Sequence, residues 1–277
     1  MISIITAIYN QLPMNKLYYE SLQHATDGDY ELIIVDNGST DGSVEFFESL
    51  GDHVRVIRND GNYSYPYCQN VGIRHAKGEV FAFFNNDILL SPHWDTRLMQ
   101  ILRHDGHEIM SLCSNQRMAT QALTKQMEHR WKHIKNPILF LFGAGERSLR
   151  MMARLMYGAS FDTWCDRLWE QYGTQTRIGF AGSAVVMTKT GLDMIGGQWD
   201  PQQQGADYDL YLQTKRLQQE GHPIQTMCVV CGVYHHHFCR LTFHTKFPPY
   251  KDASNLSSCE EKWGEDMLKQ AIKELRQ

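Results

Sequence analysis

The sequence predicts an α/β protein built on a mainly parallel sheet that is flanked by helices and carries a helical insertion. Through residues 1–90, apolar β-branched runs alternate with helical segments in the order strand–helix–strand–helix–strand–helix–strand. Residues 80–84 are five apolar residues in a row, which is typical of a strand buried on both faces of a parallel sheet. Residues 116–177 are instead rich in Met, Arg, Trp and Leu without a strand pattern, which predicts the helical insertion.

Each element is predicted from its apolar pattern and from the turn residues that end it. Helix caps are expected at Asp41–Ser43, and glycine stops at Gly78 and Gly196–Gly197. The N-terminal run is interpreted as a core strand and not as a signal peptide, because no basic region precedes it. The predicted strands are 2–8, 31–35, 53–57, 80–84, 179–187 and 226–234, and the predicted helices are 17–25, 44–50, 67–76, 94–103, 190–197, 206–220 and 260–275.

Composition excludes several classes of protein. The 277 residues are 42% hydrophobic and 21% charged, as in ordinary globular proteins. A formal charge of −4 gives no basic field, so nucleic acid is not an expected partner. The longest apolar stretch outside the strands, Ile138–Phe142, is far shorter than the ~18 residues that a membrane span requires. Seven cysteines, an odd number, are expected to be reduced thiols in a cytosol-like compartment.

Polar side chains follow three of the predicted strands. Tyr9 and Asn10 follow the first strand, Asp36 ends the second, and Asn85–Asp87 follow the strand at 80–84. Ligands of open α/β sheets bind beyond the carboxyl ends of the strands, so these side chains are expected to line one cleft. A carboxylate flanked by amides suits a divalent cation and a nucleotide ribose. Ordinary turn residues and helix caps are the alternative for Asp36 and Asp87.

Two carboxylates, Asp207 and Asp209, open a predicted helix. Residues two apart on a helix point in different directions, so one of them at most is expected to face a given substrate. That carboxylate would accept a proton from an incoming hydroxyl. The alternative is that both complement the helix dipole.

Three histidines, His235–His237, follow the last predicted strand. In extended backbone His235 and His237 share a face, and a neutral imidazole is a common partner of a carboxylate on a divalent metal. A solvated loop is the alternative. A zinc site with Cys228 and Cys231 is disfavoured, because residues three apart in a strand face opposite ways.

The ordered set of these motifs resembles the family 2 glycosyltransferases of the GT-A (Rossmann-like) fold. The resemblance covers about residues 1–110 and 178–240 and leaves out the insertion and the C-terminal tail. The matching segments are Tyr9-Asn10, Val35–Asp41, Asn70–Ile73, Gly78-Glu79, Asn85–Asp87, Gly182-Ser183, Gly196-Gly197, Gly205–Leu210 and the histidine cluster.

The resemblance implies a metal-dependent inverting transfer of a sugar from a nucleotide-diphosphate donor to a hydroxyl of a glycan, lipid-linked or protein acceptor. Asp87 would hold Mn²⁺ or Mg²⁺, and His235 or His237, with His235 preferred, would complete the metal or diphosphate site. Asp207 would be the general base. The donor would contact Tyr9, Asn10, Asp36, Asn70, Arg74, Asn86, Gly182 and Ser183, with Asp36 on the nucleobase and Asn86 on the ribose.

The resemblance also implies a division of a single GT-A domain. Residues 1–115 would form its nucleotide-sugar-binding half and residues 178–250 its acceptor and catalytic half. Between them lies the helical insertion, 116–177, and residues 251–277 would form a C-terminal helix.

Two departures from the family pattern motivate an alternative function. The family's DxD triplet is Asn85–Asp87 here, and Ala206 replaces the usual Glu before the base. The alternative is therefore a nucleotide-sugar-binding protein with lost or weak transfer. A nucleotidyltransferase would need a glycine-rich basic phosphate loop near the N-terminus, and Ile8–Gln11 is not one.

One helix predicted within the insertion, around residues 147–156, bears on where in the cell the protein is expected. It is interpreted as an ordinary solvated amphipathic helix, with a membrane-surface or acceptor-gripping helix as the alternative. The expected location is cytoplasmic, with peripheral membrane contact under that alternative. The arginines that share one face are Arg147, Arg150 and Arg154, and the apolar residues on another face are Leu149, Met152 and Met156.

Overall fold

The computed structural model describes residues 1–158, 160–239, 241 and 248–275. The strands are β1 (Ile2–Ile8), β2 (Tyr30–Asp36), β3 (Val54–Arg58), β4 (Val80–Phe84), β5 (Ile88–Leu90), β6 (Ile109–Ser114), β7 (Thr176–Ile178), β8 (Ala184–Thr188) and β9 (Cys228–His237). They form a nine-stranded sheet in the order β3-β2-β1-β4-β8-β6-β9-β5, and β7 also pairs with β9.

Helices cover the sheet and extend beyond it. They are α1 (Leu12–Ala25), α2 (Ser43–Glu48), α3 (Tyr65–His75), α4 (Trp94–Leu98), α5 (Gln121–Phe142), α6 (Glu146–Tyr157), α7 (Phe161–Tyr172), α8 (Lys189–Met194), α9 (Ala206–Gln219), α10 (Cys259–Trp263) and α11 (Glu265–Leu275). A short 3-10 turn spans Ala253–Asn255.

The predicted fold class is confirmed: a mixed α/β protein with a mainly parallel central sheet between helices. Strands β1 to β4 are parallel where they pair. Strand β8 runs antiparallel between β4 and β6, and β6 pairs in parallel with β9. The carboxyl ends of β1, β2 and β4 therefore meet along one edge of the sheet.

Both faces of the central strand β4 are buried. Successive side chains of a strand point to opposite faces, so neighbouring residues enter different parts of the core. Phe84 packs with Ile4 and Trp94 on one face, whereas Phe83 packs with Trp199 on the other. Side chains of this segment become accessible only after the strand ends, at Asn85–Asp87.

The segment predicted as a helical insertion contains α5, α6 and α7, followed by the short strand β7. A third apolar cluster joins these helices to β9: Trp131 and Tyr157 pack in it with Tyr234 and Phe238. Among the described residues, no helix is both long enough and apolar enough to cross a membrane.

The structure differs from the predicted elements in several places. Helix α1 begins at Leu12, not at 17, and α4 ends at Leu98, not at 103. The strand predicted over 179–187 is β8, which begins only at Ala184. Strands β5, β6 and β7 were not predicted. Strand β9 runs on to His237, so the three histidines lie within the strand and not after it. The C-terminal helix predicted over 260–275 is divided into α10 and α11 at Gly264, whose φ of +81° ends the first helix.

Candidate active site

The ends of β1, β2 and β4 open into a cleft of about 310 Å³. We call it the donor cleft because it is lined by Tyr9 and Asn86, two of the residues expected from the sequence to contact a donor. Its walls are largely polar, aromatic and aliphatic, and Asp87 supplies the carboxylate among the described residues that line it. Tyr63, one of its aromatic residues, is stacked on Tyr67 with 4.1 Å between ring centroids. The lining includes Tyr9, Gln11, Asn37, Asn62, Tyr63, Tyr65, Asn85, Asn86, Asp87 and Tyr250.

Asp36 and Asn10 lie beside the donor cleft but are not part of its lining. The buried Asp36 carboxylate accepts hydrogen bonds from the backbone N–H groups of Gly38, at 3.1 Å, and Ser39, at 3.0 Å. The Asn10 side chain accepts a bond of 2.8 Å from the Thr40 backbone N–H. Both side chains therefore hold the loop after β2 in place. The next residue, Asn37, is the one that faces the cleft.

Asn86 and Asp87 both line the donor cleft. The Asn86 amide donates a hydrogen bond of 2.7 Å to Asn15 Oδ1, which fixes the turn after β4. Asp87 Oδ1 lies 3.3 Å from His237 Nε2. That oxygen is buried and has no well-aligned hydrogen bond among the described residues.

The orientation of the His237 ring is fixed by Gln116, on the side of the ring away from Asp87. Its Nδ1 lies 2.7 Å from Gln116 Oε1, and an amide oxygen can only accept, so Nδ1 carries the proton of that bond. Nε2 therefore faces Asp87. Burial lowers the pKa of His237, but the close contact with the Asp87 carboxylate and the charge of Asp207 outweigh burial, so the net shift of this pKa is upward.

The other two histidines of β9 face elsewhere. His235 is fully buried with Nε2 2.7 Å from Ser183 Oγ, so the structure brings His237, not His235, to Asp87. His236 points to the opposite face, where Tyr157 Oη lies 2.7 Å from Nδ1. Burial lowers the pKa of His235 well below its usual value and that of His236 to about 3, so both are neutral.

A second cleft of about 590 Å³ surrounds the start of α9. We call it the acceptor cleft after the role expected from the sequence for Asp207, which lines it. It adjoins the donor cleft, since Tyr65 and Asn85 line both. His237, which contacts Asp87 of the donor cleft, also lines the acceptor cleft. The remaining lining includes Gln116, Arg117, Phe180, Gly182, Ser183, Gln204, Asp207 and Tyr208.

Asp207 is the carboxylate of the α9 pair that faces the acceptor cleft. Burial raises its pKa to about 6, against a smaller opposite effect of His237. The carboxylate lies against Gly182, where an added Cβ would be 1.9 Å from Asp207 Oδ2. Only a residue without a side chain leaves room for Asp207 in this position.

The second carboxylate of the pair, Asp209, points away from the cleft and is buried. Its Oδ1 accepts a hydrogen bond of 2.7 Å from Trp263 Nε1 and lies 2.6 Å from Lys262 Nζ. In the same region Cys259 Sγ donates to the Gly205 carbonyl oxygen at 3.1 Å. Helix α10 thereby holds the start of α9 and with it the position of Asp207.

Like Asn10 and Asp36, two further residues of the predicted donor site line neither cleft. Asn70 uses both ends of its amide on the Trp199 backbone, at 2.8 Å to the carbonyl oxygen and 2.9 Å from the N–H. Arg74 is exposed at the end of α3. Gly182 and Ser183, also predicted for the donor, line the acceptor cleft instead.

Other residues of the clefts were not singled out from the sequence, above all Asn37, Tyr63, Tyr65, Gln116 and Arg117. Tyrosines at 63, 65 and 67, alternating just after a polar loop, were the available signal for the donor cleft. Gln116 and Arg117 follow β6, a strand whose pattern was not recognised.

A model described as glycosyl transferase family 2 matches residues 3–157, more than half of the chain. The chain belongs to glycosyl transferase family 2. The family expected from the sequence motifs is thus confirmed. The match ends before Gly182, Asp207 and His237, so much of the acceptor cleft of this family 2 protein lies beyond the matched residues.

Curated relatives match a limited part of this family 2 chain. An uncharacterized glycosyltransferase of Haemophilus influenzae is 32% identical over 105 residues, which are 38% of this chain and 35% of that protein. The putative glycosyltransferase EpsH of Bacillus subtilis is 32% identical over 110 residues, 39% of this chain and 31% of that protein. The matched region therefore spans about a third of the length of these relatives.

Among solved structures, the chain is similar to a mannosyltransferase, PcManGT from Pyrobaculum calidifontis, in complex with GDP-Man and Mn²⁺. The two are 16% identical, with a TM-score of 0.49 over 82% of this chain and 56% of that one.

The possible metal ligands around Asp87 can be tested for their fit to a divalent cation. Mg²⁺ and similar ions are commonly held by one or two carboxylates together with substrate phosphates. Asp87 Oδ1 and His237 Nε2 face each other, and a histidine ligand usually donates its other ring N–H to an acceptor such as Gln116. The described residues contain no group of three or more His, Cys, Asp or Glu that would hold a metal. The pair therefore fits a cation whose coordination a substrate completes.

Proposed function

We propose that this protein is an inverting glycosyltransferase that uses a nucleotide-diphosphate sugar, a divalent cation and Asp207 as general base. The observation that carries the proposal is the junction of the two clefts. Asp87 lines the donor cleft, Asp207 lines the acceptor cleft, and His237 contacts the first and is electrostatically coupled to the second.

The donor cleft offers the contacts that a nucleotide needs. Tyr9 and Tyr63 present aromatic surface for a base, and the amide of Asn86 suits a ribose hydroxyl. Asn37 also lines the cleft, but its amide donates to the Tyr63 carbonyl oxygen at 3.0 Å and accepts from Asn59 at 2.8 Å, so it shapes the wall. Asp36 as a nucleobase contact stays a prediction, and its bonds to Gly38 and Ser39 support a role in shaping the loop that borders the base.

Asp87 and His237 would hold Mn²⁺ or Mg²⁺ with the donor diphosphate. The cation would supply neutralisation of the charge that develops on the departing diphosphate. Because only one carboxylate belongs to this pair, we expect the cation to bind weakly without nucleotide and much more tightly with it.

Asp207 would accept the proton of the acceptor hydroxyl as its oxygen attacks the anomeric carbon of the sugar. The bond to the diphosphate breaks as the new glycosidic bond forms, and attack from the opposite side inverts the configuration. Two features support Asp207 as this base: a pKa raised to about 6, near neutral operating pH, and the clearance that Gly182 leaves. Asp87 and Asp207 lie in adjoining clefts, which suits leaving group and nucleophile on opposite sides.

The test is release of nucleoside diphosphate from a panel of UDP-, GDP- and dTDP-sugars with Mn²⁺, alongside calorimetric donor binding. We expect Asp207→Asn to bind donor like the wild type and to lose about 10²–10⁴-fold in transfer rate. Asp193→Asn, at an exposed carboxylate of α8 paired with Lys189, is the matched control and should transfer normally. Retained transfer in Asp207→Asn would refute the assignment of the base.

Asn85 and Ala206, the departures from the family pattern, favour one second candidate, a nucleotide-sugar-binding protein without turnover. Donor binding with no nucleotide release for any sugar in the panel, in wild type as in Asp207→Asn, would establish that candidate instead.

A further inference from the structure

The end of α5, just before the turn to α6, carries three consecutive large apolar side chains in solvent. Phe140, Leu141 and Phe142 are 89%, 65% and 65% exposed. Met151, on α6, is also exposed and lines the same surface depression as Phe142. Exposed apolar surface of this kind marks an interaction site. We call these four residues the apolar tip.

Cations surround the apolar tip. Arg147 lies in the depression with Phe142 and Met151, and Arg154 follows two turns later on the same side of α6. The acidic residue of that depression, Glu146, is paired with Arg150 at 3.0 Å. Arg150 also lies 2.5 Å from Glu20 of α1.

A basic stripe on α5 leads to the same place. Lys125, His129 and Lys132 are exposed and spaced four and three residues apart, so they share one helix face. Two further steps of four residues along this face lead from Lys132 to Phe140. Residues 121–157 contain seven Lys and Arg but two Glu, in a chain whose formal charge is −4. The positive charge is thus concentrated on the hairpin that carries the apolar tip.

We propose that the α5–α6 hairpin docks on an anionic membrane surface, with the apolar tip inserted at the lipid interface and the cations on the headgroups. Charge complementarity decides the occupant, because basic residues beside exposed Phe and Leu are the pattern of interfacial helices that bind anionic lipid. A second copy of this chain would instead bring two equally cationic hairpins together.

The hairpin begins next to the acceptor cleft. Gln116 lines that cleft and also a neighbouring depression that Lys132 and Asn136 of α5 share. The apolar tip lies at the other end of α5, which is 22 residues or about 33 Å long. Docking along the whole helix, with Lys125, His129 and Lys132 on the headgroups, would therefore hold the acceptor cleft close to the membrane surface, where the head of a lipid-linked acceptor lies. This last step rests on the proposed function, whereas docking itself does not.

The test is flotation of the full chain with vesicles of pure phosphatidylcholine or of equal parts phosphatidylcholine and phosphatidylglycerol. We expect binding to the anionic vesicles only, weakened by salt. The variant Phe140→Ser, Leu141→Ser, Phe142→Ser should lose about tenfold or more in affinity. Replacing Arg147 and Arg154 by Gln should cost about fivefold for each charge.

Two controls separate docking from other effects. Ile178→Ser with Met267→Ser changes apolar residues that are 60% and 48% exposed elsewhere, and it should float like the wild type. Asp207→Asn should also float normally, so a failure of the transfer proposal leaves this measurement intact. Equal binding to both vesicles, or an unaffected serine variant, would overturn the proposal. Sedimentation velocity without lipid would also overturn the proposal if it showed that the wild type is a dimer and that the serine variant is a monomer.

Discussion

Gly182 is the position at which a single methyl group tests the geometry of the acceptor cleft. In Gly182→Ala the new Cβ would lie 1.9 Å from Asp207 Oδ2, whereas real Cβ contacts essentially never fall under 3.0 Å. The Asp207 carboxylate must therefore move by about 1 Å, a displacement that can cost a catalytic group about a hundredfold in rate. We expect kcat to fall about hundredfold, which corresponds to ~2.7 kcal/mol in the activation barrier.

The assay is steady-state release of nucleoside diphosphate with Mn²⁺, together with calorimetric donor affinity. Gly182 lines the acceptor cleft and not the donor cleft, so the donor affinity should be unchanged. Gly145→Ala is the matched control, because a Cβ there meets no atom within 4 Å. An unchanged kcat in Gly182→Ala, or an equal loss in Gly145→Ala, would refute the reasoning.

Three further predictions concern pH, the cation and the fold. The transfer rate should rise with pH through about pH 6 as Asp207 deprotonates, which steady-state kinetics across pH will measure. Because the pKa of Asp207 is raised above the usual 3.8, the free energy of unfolding should fall as the pH rises from 3.8 to about 6, which thermal unfolding across pH will measure. Asp87→Ala should abolish Mn²⁺-stimulated donor binding, and His237→Ala should weaken it about tenfold or more, as calorimetry with and without Mn²⁺ reports. Asn70→Ala should lower the free energy of unfolding by about 1–3 kcal/mol through two lost bonds to Trp199, measured by urea denaturation, with donor affinity intact.

Each of these has a clear contrary result. A pH profile in Asp207→Asn with the same rise near pH 6 would assign that titration to another group. Equal donor binding by Asp87→Ala with and without Mn²⁺, at wild-type strength, would remove the cation from the donor cleft. A stable Asn70→Ala variant that fails to bind donor would show that Asn70 acts on the nucleotide.

The parallel half of the sheet was predictable because β1, β2 and β4 contain nearly continuous apolar runs and β3 carries three β-branched residues. Strand β6 was not, since Ile109–Ser114 mixes Ser, Cys and Met, and it is a strand through pairing with β8 and β9, which are distant in sequence. Strand β5 is three residues long and is likewise fixed by β9.

The same distinction applies to the candidate site. The sequence predicted Asp87 just after a strand and Asp207, the expected general base, at the start of a helix. The structure brings the two residues into adjoining clefts. The choice between His235 and His237 depends on register: Ile88, the residue after Asp87, pairs with His237. The orientation of Asp36 depends on which backbone N–H groups the following loop offers, and its predicted contact with the nucleobase stays a prediction.

The brace between α10 and α9 has a consequence for how such a protein can change. Most of the described residues that line the donor cleft come before residue 90, while the contacts that fix Asp209 and the start of α9 come from Lys262 and Trp263 near the other end of the chain. Under the proposed function, substitutions in α10 would change which hydroxyl is presented to Asp207 and leave the nucleotide contacts in place. Specificity for the two substrates would then diverge separately, in segments that lie more than a hundred and fifty residues apart.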